Sequence, residues 1–547
     1  MPSYDLILLH PPAVYDFRKE PLFPGALGRN PETVQFTKVP IGMLSIADYL
    51  DRHGFSTIID NLGDRMVNEV GFDVERHLQG LSAQIFAVGL HFQQHSPGAL
   101  AIARLCKQFH PHSLVIVGGL TATTFHREII EKYSFVDAVV RAEAEKPLLQ
   151  LLRAYEQHGR LIDTGNLTYR SAAGEIRTTP LLPASRDLDD FEYTRFELLT
   201  PQYSIYAEDS CHRWSLEVCR GCTYNCAICG GSAHTYKTRL GMDKPAFRSP
   251  QRIVADIKNL VERDVRFVGL YQDPRMGGRA YWQELFSTLK KEKPQLERLS
   301  LDLLIPADEE FIREIAGIGR EIILHLCPDT GSDKVRKALG RPYSNEALLH
   351  TMKLCHKYRI PVTNFFSVGL AGETEEEVGK TWELWATLDT MNEEARLQGN
   401  FGDIESSVPI GGQILGPIVI DPGSPAFDDP ERYGYKMLYN NLEEYVDGLS
   451  QATWSHWLNY ETKELDRASI VELINQSIEF TIDQRERQGF YSQAEAHYER
   501  CRVEADRVVQ REVDAILQLE DDREKRARIV AIRKNLDHLE TTRMTFL

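Results

Sequence analysis

The 547-residue sequence has no run of 18 apolar residues, so it lacks the usual mark of a bilayer-crossing helix. Its first stretch, Met1 to Leu9, has neither a cationic segment nor a small-residue cleavage site; no export signal is read there, and a cytoplasmic protein is expected. Excess positive charge is missing as well. With 63 Lys and Arg against 80 Asp and Glu, the net charge is −17, which argues against nucleic acid as a partner. Cysteine is sparse, nine in all, and its placement is not that of a secreted disulfide framework. Cys106, Cys211, Cys327, Cys355 and Cys501 are scattered, whereas the rest fall between Cys219 and Cys229. That clustering suits metal ligation in a reducing compartment.

A chain this long, 42% hydrophobic, exceeds one ordinary core, so several domains are expected. Residues 1–155 alternate short apolar runs (Tyr4 to Leu9, Ser56 to Ile59, Ile85 to Leu90, Leu114 to Val117, Asp137 to Val140) with amphipathic stretches such as Met43 to His53. This order predicts an α/β domain with a flavodoxin-like parallel sheet, its ligand at the C-terminal strand edge. Residues 156–209 lose the rhythm and read as a linker carrying a hairpin at Ala173-Gly174. Residues 210–435 resume it, with strands at Phe267 to Tyr271, Leu299 to Leu303, Ile322 to His325 and Val362 to Val368 and a helix at Pro250 to Glu262. They predict a full or partial (β/α) barrel. Residues 436–547 read as a helical C-terminal region, with apolar positions at Val509, Val513, Ile516, Ile529, Ile532, Leu536 and Leu539 spaced as a packing face. Glu405 to Gly416 reads as a lid.

The strongest chemical signal is CxxxCxxC at Cys222, Cys226 and Cys229. Three thiolates within eight residues can wrap one [4Fe-4S] cubane and leave its fourth iron without a protein ligand, open to the amino and carboxylate groups of S-adenosylmethionine (SAM). The competing zinc reading wants four N or S ligands in two separated pairs, whereas these cysteines form a single compact run. Cys219 is the one residue near enough in sequence to close the fourth position; its place before Cys222 suggests a strand end instead. Gly230, Gly231 and Ser232 follow the last cysteine and offer bare backbone to the methionine end of SAM. Asp273, at the end of the next strand, is a candidate for the SAM amino group or ribose, or else a helix cap. Backbone at Gly369 is a candidate to face the adenine.

Arg220-Gly221-Cys222 with Asn225-Cys226 and Cys229 resembles the RGCxxxCxxC loop of radical SAM proteins. So do Arg248-Ser249-Pro250, Thr330-Gly331-Ser332-Asp333 with Lys337 to Arg341 (the family's ESGSD...KALGR), and Val368 to Thr374 (its GLPGET turn). The resemblance covers roughly residues 210–385 and implies reductive cleavage of SAM to a 5′-deoxyadenosyl radical, with an electron donor such as flavodoxin or ferredoxin. Thr330 stands where the family often has Glu and Ala371 where it has Pro; Asp329 is a candidate to substitute at the first.

The first 155 residues resemble the cobalamin-binding domain of B12-dependent radical SAM proteins. The matching residues are His10-Pro11-Pro12, Pro40-Ile41-Gly42, Val117-Gly118-Gly119 and Val140 to Glu145, which resembles VRGEGE with both inner glycines replaced by alanine. The resemblance implies cobalamin contacts at His10, Gly42, His91, Gly118, Gly119, Thr121, Arg141 and Glu143. Asp51-Arg52-His53 begins the DxHxxG cobalt-ligand motif, but Ser56 breaks it, so His53 is not expected to bind cobalt. Gln93 and Gln94 fall near the expected corrin edge.

Together these readings imply an enzyme with three cofactors, the [4Fe-4S] cluster, SAM and cobalamin, that methylates a small-molecule or peptide substrate at an unactivated carbon. Radical cyclisation or ring rearrangement is the first alternative and a non-catalytic cobalamin or redox sensor the second. tRNA methylthiolation would need a second cluster upstream, where only Cys106 precedes Cys211. Barrel-mouth candidates for substrate contact are Tyr271, Gln272, Arg275, Asp302, His325 and Cys327.

Overall fold

The computed structural model describes residues 3–20, 22–23, 38, 40–206, 212–319, 321–399 and 413–544. The first sheet starts from β1 (Tyr4–His10), whose run YDLILLH is apolar on both faces. Leu6 and Leu8 enter one core while Ile7 and Leu9 enter another, as side-chain alternation requires of a strand covered on both sides. Parallel neighbours are β2 (Thr57–Asn61), β3 (Ala83–Gly89), β4 (Leu114–Gly118) and β5 (Ala138–Val140), in the order 5-4-3-1-2. This is the doubly wound flavodoxin-like order, with its switch point between β1 and β3. Helices Ile41–Arg52 and Glu145–His158 cover one face, and Ser96–Phe109 the other.

Residues 156–209 depart from the expected linker. The hairpin of β6 (Leu167–Arg170) and β7 (Ile176–Thr178) continues the sheet antiparallel from β5, and β8 (Leu199–Thr200) pairs parallel with β2 at the opposite edge. The segment therefore caps both edges of the first sheet, leaving fewer unpaired strand groups.

The second sheet is a partial (β/α) barrel of six parallel strands in chain order: β9 (Arg213–Glu217), β10 (Phe267–Tyr271), β11 (Arg298–Leu303), β12 (Glu321–Asp329), β13 (Val362–Val368) and β14 (Gln413–Pro417). Leu216, Val268, Leu270, Leu299, Leu301, Ile322 and Leu324 point outward into the helix layer with Ile253, Trp282, Leu285 and Phe311. The alternate residues face inward. The helix Pro250–Glu262 begins as expected, with Ser249 capping it through the Arg252 N–H and Pro250 in its first turn.

Beyond residue 435 two short strands, Tyr435–Met437 and Tyr460–Thr462, pair antiparallel where none was expected. Helix Arg467–Arg487 packs Ile470 and Ile474 against Val368 and Leu370 of the barrel. Helices Gln493–Leu517 and Asp522–Met544 follow, with Val509, Val513, Ile516 and Ile529 closing on Phe23 and Ala452. The side chains of Leu536 and Leu539, Cys211, and residues 405–412 of the expected lid lie outside the described residues. Among the described residues no helix is long and apolar enough to cross a membrane.

Candidate active site between the two sheets

One cavity of about 1440 Å³ joins the C-terminal strand edge of the first sheet, the cysteine loop and the interior of the barrel. That exceeds the few hundred to 1,000 Å³ of an ordinary small-molecule pocket and leaves room for more than one ligand.

Cys222, Cys226 and Cys229 all line it. The loop is shaped by its own backbone: the N–H groups of Tyr224 and Gly231 donate to the sulfurs of Cys222 and Cys229, each at 3.3 Å. Burial pushes the Cys229 thiol up to about 12 and raises those of Cys222 and Cys226, the last opposed by the nearby Arg341 guanidinium. Among the described residues no three His, Cys, Asp or Glu side chains gather around a point as a single ion requires. A cubane presents one iron to each thiolate, and spaced thiols with N–H donors on their sulfurs fit it. Cys219 also touches the cavity, but it pairs with Phe247 in a short antiparallel ladder and its Sγ faces the Gly221 carbonyl.

Gly340, from the KALGR stretch, explains why the loop can close. Its φ is +99°, and a Cβ there would stand 2.6 Å from the Asn225 carbonyl oxygen. From the other side, residues 421–428 clasp the loop. Asp421 N–H donates to the Ile228 carbonyl and Ala426 N–H to that of Ala227, while the Asp421 carboxylate accepts from Gly230 N–H at 2.8 Å. Burial raises the Asp421 carboxyl. The same clasp reaches the first sheet's domain through the Thr124 hydroxyl on the Pro422 carbonyl and through Phe125 against Phe427.

Of the expected SAM contacts, Gly230, Gly231 and Ser232 line the cavity; Ser232 also caps helix Ala233–Leu240. Asp273, Asp329 and Gly369 do not line it. Asp273 is 1% exposed and spends its carboxylate on Arg275, the Arg275 N–H and the Leu304 N–H, so the cap reading replaces the ligand reading. Asp329 forms an ion pair at 2.7 Å with Arg341, and it is Arg341 that reaches the cavity wall. Gly369 backs onto Tyr460 and Ile470, and its N–H is taken by Glu373.

Of the expected cobalamin contacts, Gly42, His91, Gly118, Gly119, Thr121 and Glu143 line the cavity. A Cβ on Gly42 would meet nothing within 4 Å, so its backbone is open to a bulky ligand. Gly119 has another reason to be glycine: at φ +122° a Cβ would lie 2.5 Å from the Leu90 carbonyl, so the crossing of the chain at Leu90 and His91 demands it. Thr121 donates to the His91 carbonyl. Burial lowers His91 to about 4, so the imidazole is neutral near pH 7. His10 is buried edge-on against His95, and Arg141 is buried on the carbonyls of Leu167 and Thr179; neither lines the cavity. Glu143 lines it but accepts from Ser185 N–H and faces Arg220. His53 is turned back on the Tyr49 carbonyl, away from the cavity.

Sequence reasoning missed the residue that joins the halves. Arg220 reaches Glu145 at 2.7 Å, Glu217 at 2.9 Å and Glu143 at 3.5 Å, with its guanidinium over the Phe191 ring. Burial would raise the Glu145 carboxyl, but Arg220 and the Ser45 hydroxyl outweigh it and hold it below the ordinary range. Of the barrel-mouth candidates, Tyr271, Gln272, Asp302 and His325 line the cavity, with His325 Nδ1 3.2 Å from Asp302. Arg275 and Cys327 do not. Gln93 lines it and Gln94 does not.

Family models divide the chain in the same way: a B12 binding domain matches residues 32–152 and the radical SAM superfamily matches residues 216–384. The chain is a cobalamin-dependent radical SAM enzyme. Its cofactors are a [4Fe-4S] cluster, SAM and cobalamin, and its chemistry needs a reductant and a substrate. The enzyme is 20% identical to an uncharacterized methyltransferase of Pyrococcus horikoshii, over 64% of this chain and 74% of that one. It is 23% identical to the anaerobic magnesium-protoporphyrin IX monomethyl ester cyclase of Rubrivivax gelatinosus, over 63% of this chain but only 61% of the cyclase. In fold it is similar to the radical SAM methyltransferase TsrM of Kitasatospora setae with cobalamin and [4Fe-4S] cluster bound (15% identity, 88% of this chain and 89% of that one, TM-score 0.59). It is also similar to the cobalamin-dependent radical enzyme OxsB (13% identity, 99% and 79%, TM-score 0.59).

Proposed function

We propose that the enzyme transfers a methyl group to an unactivated carbon of a small-molecule or peptide substrate. The observation that carries this reading is the single cavity: glycine-edged sheet, cysteine loop and barrel interior open into one space, so two cofactors and a substrate can meet without crossing solvent. When bound, the cofactors supply reductive SAM cleavage and a transferable methyl group, while the protein positions them and excludes water.

In this reading Cys222, Cys226 and Cys229 hold the cluster, and Gly230, Gly231 and Ser232 border SAM. Gly42, His91, Gly118, Gly119 and Thr121 face the corrin. Asp421 orients the loop through Gly230 N–H, and the Asp302–His325 pair is placed to take or give a proton at the substrate end. The working division is residues 1–155 for cobalamin, 210–435 for radical chemistry and 436–547 as the helical region, with 156–209 serving the first sheet. A flavodoxin or ferredoxin is the reductant in this reading. The eight free cysteines among the described residues support a reducing, cytoplasmic compartment.

The test is anaerobic reconstitution with iron, sulfide, cobalamin, SAM and a chemical reductant, followed by turnover with cell extract. Methyl transfer yields both S-adenosylhomocysteine and 5′-deoxyadenosine. Cyclisation, favoured by the likeness to the anaerobic cyclases, yields 5′-deoxyadenosine without S-adenosylhomocysteine. Failure to form 5′-deoxyadenosine with an intact cluster sinks both.

A further inference from the structure

The barrel interior is not packed in the way such interiors usually are, with bulky branched side chains in layers. Its inward residues form three registered layers. At the base, Phe267 of β10 stands opposite Arg213 of β9 and Arg298 of β11. In the middle, Gly269 stands between Ser215 and Ser300, and Ser300 opposite Ile323. Toward the cysteine loop come Glu217 beside Tyr271, then Asp302, His325 and Thr363. Arg213, Ser215, Ile323, His325 and Thr363 line the same cavity as the cluster cysteines.

The two base arginines differ. Both lie over the Phe267 ring, but Arg298 is ion-paired with Glu321, whereas no described carboxylate lies within ion-pair reach of Arg213. Arg213 does not turn out to bulk water. A Cβ built on Gly269 would stand 3.6 Å from Arg213 Nη2, 3.2 Å from Ser300 Oγ and 3.4 Å from Ser215 Oγ. The missing side chain of Gly269 is thus the space that the guanidinium and two hydroxyls share.

We propose that this shaft is the substrate site of the enzyme and takes a slender, unbranched chain ending in a carboxylate, bound by Arg213 with Ser215. One uncommitted, half-buried guanidinium beside the Ser215 hydroxyl matches a monoanion, since the second arginine is already neutralised. Tyr271 stands four residues above Phe267, roughly 13 Å at the rise of a strand. The reacting carbon therefore lies about that far along the chain from the carboxylate. This rests on the methyl-transfer reading for what happens at the upper end, but not for the binding itself.

The experiment is calorimetric titration of the anaerobically reconstituted enzyme with decanoate and, separately, decan-1-ol. The wild type should prefer the carboxylate by at least about tenfold. Arg213→Gln should abolish that preference, and Arg213→Lys should retain part of it. Gly269→Leu, which fills the shared space, should weaken decanoate as well and serves as an independent variant. Equal affinity for the two probes in the wild type, absence of binding by both, or a preference untouched by Arg213→Gln overturns the proposal. Production of 5′-deoxyadenosine by the wild type is scored separately: if it is absent while decanoate is still preferred, the catalytic reading falls and the shaft stands.

Discussion

The Asp421 carboxylate accepts one hydrogen bond from the cluster loop, from the Gly230 N–H, at a position far along the chain. Asn at 421 keeps an acceptor oxygen and Ala does not. We expect Asp421→Ala to lose most bound iron and lower 5′-deoxyadenosine formation about tenfold, from a hydrogen-bond loss of ~1–3 kcal/mol, and Asp421→Asn to retain both. Iron and sulfide quantitation with a turnover assay checks this. Two histidines contribute to the pH response. Burial lowers His91 and, with help from Arg141, His126 to about 4, against an ordinary value near 6.5. Between those values the unfolded chain binds more protons than the folded one. The contribution of each histidine is therefore full above pH 7 and falls as pH drops toward 4, by up to about 2 kcal/mol at pH 5, while the buried Glu373 and Asp256 carboxyls, raised to about 7 and about 6, act in the opposite sense. Denaturant midpoints at pH 7.5 and pH 5 check this: relative to wild type, His126→Gln should be less destabilised by the move to pH 5. The cysteine loop was legible because its spacing is local. For Asp273 the sequence leaves ligand and helix cap open, and for Asp329 it suggests a SAM contact, because acids at strand ends look alike in sequence and only the fold reveals the arginines paired with them.

The cluster loop is closed from outside, with Gly340 at φ +99° admitting the Asn225 carbonyl. Gly340→Val is expected to cost at least about 1–3 kcal/mol, since it combines a positive φ with a backbone clash. Its signature should be lower iron retention together with a lower thermal midpoint. Most strands were legible: apolar runs such as Leu114 to Val117 and Val362 to Val368 fall within a residue or so of the observed elements. The edges were legible only in part. The β6–β7 hairpin is where the turn at Ala173-Gly174 predicts it, but its place beside β5, and the two-residue β8, depend on pairing with β5 and β2 from elsewhere in the chain. Local composition carries no information about such pairing.

At the scale of the whole molecule the two sheets are held in register by the buried charge cluster around Arg220. Glu145 is only 4% exposed in its side chain, so removing the guanidinium leaves a carboxylate without a counter-ion. Arg220→Met is expected to destabilise by ~3–5 kcal/mol, and adding Glu145→Gln should recover part of that. Chemical denaturation of the single and double variants measures both. The resemblance pointed to Arg220 as the first residue of RGC, and to Glu143 and Glu145 in the first domain. That they meet required the fold. The clasp at residues 421–428 carries a consequence for biosynthesis. The cysteine triad leaves the ribosome well before the residues that clamp it, so a nascent chain cannot close its loop until almost four fifths of the polypeptide is made. Iron loading is therefore expected to be a late event in the maturation of the protein, and truncated chains are expected to emerge with an open, oxidisable triad.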